Sequence, residues 1–261
     1  MAQADLIKKF SVTSRFSPAR CLQFATLLSI WVLWEFVGAS GLLYNGVVPS
    51  LFLVFPALGG LITSMEFWFN LSVTGLEIGL AIGFGGVIGV LVGLVLGGNK
   101  FLGAAFEPQL AALAATPKII LLPILYLMFG VGPPSKIAIG AFACFVPVAL
   151  STASGMRQIN PVLVWVGRSL DLSRWQMTRK IYLPALIEPI ASGLRIALGA
   201  AIVVCLIAEI KFSRIGIGAM VIDSFNRSRF AEVYALLTVL ITLAIAGNSL
   251  ITRLGSRGGN A

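Results

Sequence analysis

SLDLSRWQMTRKIYLP, residues 169–184, is a wet stretch in an apolar chain. It holds one acid, three bases, a tryptophan and several hydroxyls, and it is followed at once by ALIEPIASGLRIALGAAIVVCLIAE, residues 185–209. Runs of this kind, about 20 apolar residues long and so able to cross a bilayer core as a helix, recur on both sides of it. The chain of 261 residues is 58% hydrophobic and 11% charged, with a mean hydropathy of +0.97. Soluble domains carry about a quarter charged residues. The pattern therefore predicts an all-α integral membrane protein, and the wet stretch is a connection between two of its spans.

Six spans are expected, at 21–37, 71–97, 108–129, 136–153, 185–209 and 231–250. The segment VVPSLFLVFPALGGLITSM, 47–65, is interrupted by Pro49 and Pro56 and is read as interfacial, outside the membrane. Charge sets the orientation. With both termini cytoplasmic, the interior sections collect twelve of the nineteen Lys and Arg and the exterior sections five, as the positive-inside rule requires. A cytoplasmic leader (1–20), a membrane domain (21–250) and a cytoplasmic tail (251–261) follow, with the wet stretch inside a cytoplasmic loop at about 154–184. The net charge of +9 is thereby assigned to topology rather than to nucleic acid. No cleavage site follows the first apolar run, which reads as a retained span.

Within the loop, Asn160-Pro161 marks a helix start, and Asp171 and Ser173 are helix-capping types ahead of a second short helix. The expected shape is helix, turn, helix, presenting Arg174 and Trp175, with Pro184 opening the next span. Tryptophan beside arginine suits a protein-binding anchor. It suits equally a tryptophan at lipid headgroups with bases on anionic lipid.

Other features bear on transport. Gly75, Gly79 and Gly83, then Gly85, Gly89, Gly93 and Gly97, lie at spacings of four on the second span, as helix packing within the chain or a contact between chains would need. Pro117 and Pro123 should each bend the third span, and broken helices line protein or water rather than lipid. Charges inside spans are costly and often functional. Lys118, Arg195 and Glu209 are the pathway candidates, with Glu77 and Glu188 also within spans. Arg195, some 16 Å past Pro184 at the usual rise of about 1.5 Å per residue, is either a structural cation or a group favouring an anion. The bases of 210–230 (Lys211, Arg214, Arg227, Arg229) could steer an anion, meet an acidic partner or simply be solvated. The three cysteines, Cys21, Cys144 and Cys205, form no disulfide framework and read as buried packing residues. No histidine is present, which removes histidine metal sites and histidine base catalysis; no metal site and no catalytic residue is assigned.

The loop resembles the cytoplasmic loop of binding-protein-dependent ABC importer permeases, whose pattern is Glu-Ala-Ala, three residues, Gly, nine residues, Ile, one residue, Leu-Pro. Ile181, Leu183 and Pro184 match its end, and RSL at 168–170 with SRWQ at 173–176 is similar to the nitrate, sulfonate and taurine branch. TPKIILLPILYLMFGVG (116–132), GLRIAL (193–198) and GIGAMVIDS (216–224) extend the likeness over roughly residues 45–250. The departures are Trp165 at the Glu position, Val166 and Gly167 at the Ala positions, Asp171 at the Gly position, and Pro133 where the branch often has Glu. Asp tolerates the left-handed conformation that the motif Gly suits.

The resemblance implies an inner-membrane permease for a small, anionic solute. Trp165, Gly167, Asp171, Ser173, Arg174, Trp175, Ile181, Leu183 and Pro184 would meet a separate ATPase. It further implies two ATP-binding subunits, a second permease subunit, identical or not, and an external substrate-binding protein. ATP and Mg would belong to the partner, since this chain has no phosphate-binding G-x-x-x-x-G-K-[ST] run. An ATP-independent secondary transporter or channel is the alternative. A membrane enzyme is disfavoured, because neither H-E-x-x-H nor a G-x-S-x-G elbow is present.

Overall fold

The computed structural model describes residues 18–40 and 46–258. The leader up to residue 17 and the last three residues of the tail lie outside the described residues. Among those described, the chain is helical throughout: α1 (Pro18–Ala39), α2 (Leu51–Thr63), α3 (Met65–Gly98), α4 (Lys100–Ala115), a 3₁₀ turn (Lys118–Leu121), α5 (Leu122–Phe129), α6 (Pro133–Arg157), α7 (Pro161–Ser169), α8 (Arg174–Met177), a π turn (Thr178–Tyr182), α9 (Leu183–Phe212), α10 (Ile217–Asn226) and α11 (Phe230–Gly258). Five helices are long and apolar enough to cross a membrane, and the α4–α5 pair makes a sixth if its two bent halves are one span.

The centre of the fold is α6, which packs against α3 on one side and α9 on the other. The α3–α6 contact is written in glycine. A Cβ on Gly85, Gly89, Gly93 or Gly97 would stand less than 3.0 Å from the backbone oxygen of Ala141, Phe145, Ala149 or Ala153 respectively. Two ladders with the same spacing of four thus lie backbone to backbone, the geometry that small residues permit between membrane helices. The upstream set, Gly75, Gly79 and Gly83, meets nothing within 4 Å. The second set therefore does the packing within the chain, and the first faces away from it.

Three expectations about the spans change. The third span begins at Lys100, not near residue 108, and bends by 92° between Ala115 and Lys118. Only Pro117 marks that break. Pro123 sits in the first turn of α5, where a helix has no use for its missing N–H, so it adds no bend. The second span is longer than expected, at 34 residues or roughly 50 Å.

The segment at 47–65 forms α2, a helix of 13 residues, shorter than a span requires. Ser50 caps it, and Glu35 of α1 accepts the Leu51 N–H at 2.9 Å and the Ser50 hydroxyl at 3.2 Å. Trp34 donates its indole N–H to Pro49 O at 3.0 Å and stacks edge-on against Tyr234. These bonds anchor the end of α1, a helix otherwise exposed along its length. Cys21 lies there and is exposed, contrary to the expectation of packing, because among the described residues nothing covers that part of α1; Cys144 and Cys205 are buried as expected.

Candidate functional site

The loop between α6 and α9 is built to hold one shape. Asn160 caps α7, accepting from the Val162 N–H, and Pro161 opens it. At the far end Leu172 N–H reaches Gly167 O and Asp171 N–H reaches Arg168 O, the paired bonds of a Schellman turn. That turn needs a left-handed residue, and Asp171 supplies it with φ of 51°. Two residues on, Ser173 and Gln176 form a reciprocal capping box. The Gln176 N–H donates to Ser173 Oγ at 3.3 Å, and the Ser173 N–H donates to Gln176 Oε1 at 2.8 Å. One helix is closed and the next opened with almost no free chain between them.

Gly167 lets the two helices touch. A side chain there would strike Met177 Sδ and Ile181 Cδ1. The small residue at the second Ala position of the pattern is thus required by close approach. Around this buried contact stands an exposed apolar surface: Trp165 at 63%, Trp175 at 72% and Leu170 at 67%, with Val162 and Val166 half-exposed.

The expected separation of the second loop helix from the next span is corrected. The chain is helical without a gap from Trp175 to Phe212. Pro184 has no N–H and its ring would strike the carbonyl four residues back. The chain accommodates this by widening to a π turn, in which Leu183 N–H bonds Thr178 O. Ile181 thus lies in the turn that joins the loop helix to α9, and Leu183 and Pro184 open α9 without a break in the helical chain.

At the other end of α9 lies a buried charged cluster; sequence reasoning singled out Glu77 and Glu209 but did not bring them together with Lys136. Lys136, at the first position of the expected 136–153 span, sits in the first turn of α6, only 1% exposed, and pairs with Glu77 of α3 at 2.5 Å. Its Nζ also donates to Ser213 Oγ at 3.1 Å. Glu209 is fully buried and accepts from the Thr74 hydroxyl at 2.7 Å and the Gly218 N–H at 2.6 Å. The Ile217 N–H donates to Thr74 Oγ1, and the Gly216 N–H to Asn70 Oδ1. Gly216 has φ of 107°, and a side chain there would occupy the Glu209 carboxylate. The cluster thus ties α3, α6 and α9 to the start of α10. The only sequence signal was that each charge stood alone in an apolar run.

The three pathway candidates differ in their surroundings. Glu209 is engaged as above. Lys118 folds back to donate to Ala114 O at 2.6 Å, satisfying the end of α4 at the break. Arg195 is half-buried and, among the described residues, makes no hydrogen bond or ion pair. At the α10 end, Arg227 pairs with Asp223 at 3.0 Å and Arg229 with Glu232 at 3.3 Å. Both border a cavity of about 770 Å³ that also meets Arg214 and Glu66.

The family model of the binding-protein-dependent transport system inner membrane component matches residues 85–257, and the chain belongs to that family. It is an inner-membrane permease of the ABC importer kind, in the nitrate, sulfonate and taurine branch. It is 30% identical over 224 residues to the bicarbonate transport system permease protein CmpB of Synechococcus elongatus, covering 81% of this chain and 80% of that one. It is 30% identical over 154 residues to the taurine transport system permease protein TauC of Escherichia coli, covering 59% and 56%. Among solved structures, an amino acid ABC transporter with histidines superposes with a TM-score of 0.55 at 15% identity, over 80% of this chain and 97% of that one, a likeness of fold.

Proposed function

We propose that this permease imports a small oxyanion-bearing solute, that separate ATPase subunits drive it from the α7–α8 surface, and that an external binding protein feeds it. ATP and Mg are held by those subunits, and a second permease completes the pathway. The observation that carries this reading is the exposed Trp165–Leu170–Trp175 surface on a turn fixed by a Schellman motif, a capping box and the Gly167 contact. A lipid-facing tryptophan needs no such rigidity; a joint that passes force does. ATP binding draws the ATPases together, the docked turn moves with them, and the helix from Trp175 to Phe212 carries the motion to the spans. The names of the relatives, bicarbonate and taurine, both denote solutes with an oxyanion group, and they support that substrate class.

The test is purification of the tagged chain from its native membrane with identification of what accompanies it. A stoichiometric ATP-binding subunit is expected. Trp165→Ala with Trp175→Ala should weaken its retention by roughly thirtyfold or more, the effect of losing at least about 2 kcal/mol at a binding hot spot, with membrane insertion unchanged. A chain that emerges alone and still moves solute without ATP would instead be a secondary transporter.

A further inference from the structure

Among the described residues, Arg195 is the one of the three pathway candidates whose side chain has no hydrogen-bond or ion-pair partner. It stands on α9 among Leu194, Ile196 and Ala197. Five N–H donors on a half-buried guanidinium without a partner are expensive inside a membrane domain. The furrow it enters, about 580 Å³ between α6 and α9, is lined by Ser151, Ser154, Gln158, Glu188 and Ser192 as well as by Arg195. Ser192 lies one turn before Arg195 on α9, and Ser151 and Ser154 face them from α6. The Ser151 and Ser192 hydroxyls make no hydrogen bond among the described residues, while Ser154 Oγ accepts from Gln158. One cation and two hydroxyls without a partner among the described residues thus line the same furrow with donors to spare.

We propose that this furrow is a station for the transported anion, in which the Arg195 guanidinium grips two oxygens of a sulfonate, carbonate or similar planar or trigonal oxyanion face and the Ser151 and Ser192 hydroxyls complete the shell. The proposal rests on the transport reading and names the solute class that its pathway selects. A guanidinium fork matches paired oxygens in a way that a point charge does not. Glu188, two turns nearer the coupling loop at about 10 Å along the helix, lines the same furrow. Its carboxylate opposes an anion that settles too firmly, and a transport site must release what it holds.

The test uses the full chain in native membrane vesicles of both orientations, with Cys21→Ser as background and Ser192→Cys as reporter. The probes are two thiol reagents, the anionic sulfonatoethyl and the cationic trimethylammonioethyl methanethiosulfonates, each rate normalised to a free thiol. A nearby cation changes the reactivity of the thiol toward both reagents alike, so the ratio of their rates reports the local concentration of the anion. The anionic reagent should be favoured by roughly tenfold or more, as a focused positive charge produces. Arg195→Lys should retain most of the preference, Arg195→Gln should bring the ratio to about one, and ethanesulfonate should slow the anionic reagent only where Arg195 is present. Exclusion of both reagents would show the furrow closed by protein or lipid, and a preference that survives Arg195→Gln would assign it to the general surface potential; either overturns the proposal. No ATPase is needed for this measurement. Its failure is therefore separate from a failure to find the ATP-binding subunit.

Discussion

Asp171 holds φ of 51° in the turn that closes α7. For a residue with a Cβ this conformation costs about 1–2 kcal/mol, and Asp and Asn bear it better than others. Asp171→Gly should therefore keep the Schellman bonds and strengthen the turn, while Asp171→Val should loosen it. Amide exchange at Leu170–Ser173 is the measurement: slower by a few-fold in the first variant, faster by roughly tenfold in the second, in keeping with local opening energies of this size. This feature was legible in the sequence, because a motif glycine replaced by Asp points to a left-handed position. The Glu77–Lys136 pair was not. Each charge is readable as costly, but its partner lies on another helix, and only the packing of α3 on α6 brings the two together.

At the level of helices, the glycine ladder was visible as a spacing of four but not as an assignment of faces. Seven glycines follow two successive runs at spacings of four on α3, and nothing local says which run meets α6. The carbonyl ladder at Ala141, Phe145, Ala149 and Ala153 decides it. Gly89→Ala would force the two backbones apart and should cost about 1–3 kcal/mol, the usual penalty of overpacking. Gly79→Ala, in open space, should be neutral or gain up to about 1 kcal/mol from the better helix propensity of alanine. Thermal unfolding of the purified chain in mild detergent separates the two: a lower midpoint for Gly89→Ala and an unchanged or higher one for Gly79→Ala. The broken third span shows the same limit of sequence reading. Two prolines were visible, but a proline kinks only where its N–H was needed, and Pro123 falls in a first turn where it was not.

Across the whole molecule, the spans, five or six with the bent pair, and the long connection between α6 and α9 followed from hydropathy, since it is a property of a segment and its solvent. The mechanical continuity did not follow, because a leucine-proline pair ordinarily signals a fresh start and here it continues an existing helix through a π turn. That continuity has a consequence for the cycle. If the lever from Trp175 to Phe212 transmits motion, softening it between joint and membrane should uncouple the two while leaving each intact. Arg179 and Lys180 lie in the π turn and are exposed, so replacing them removes little packing. Arg179→Gly with Lys180→Gly should weaken the helix there by about 1 kcal/mol per residue. The ATP-binding subunit should still co-purify, because Trp165, Leu170 and Trp175 are untouched. Reagent access at Ser192→Cys should respond to a non-hydrolysable ATP analogue in the parent and lose most of that response in the glycine variant. An unchanged response would mean that the motion reaches the spans by another route, through α7 and the end of α6, and the continuous helix would then be a consequence of packing rather than the lever.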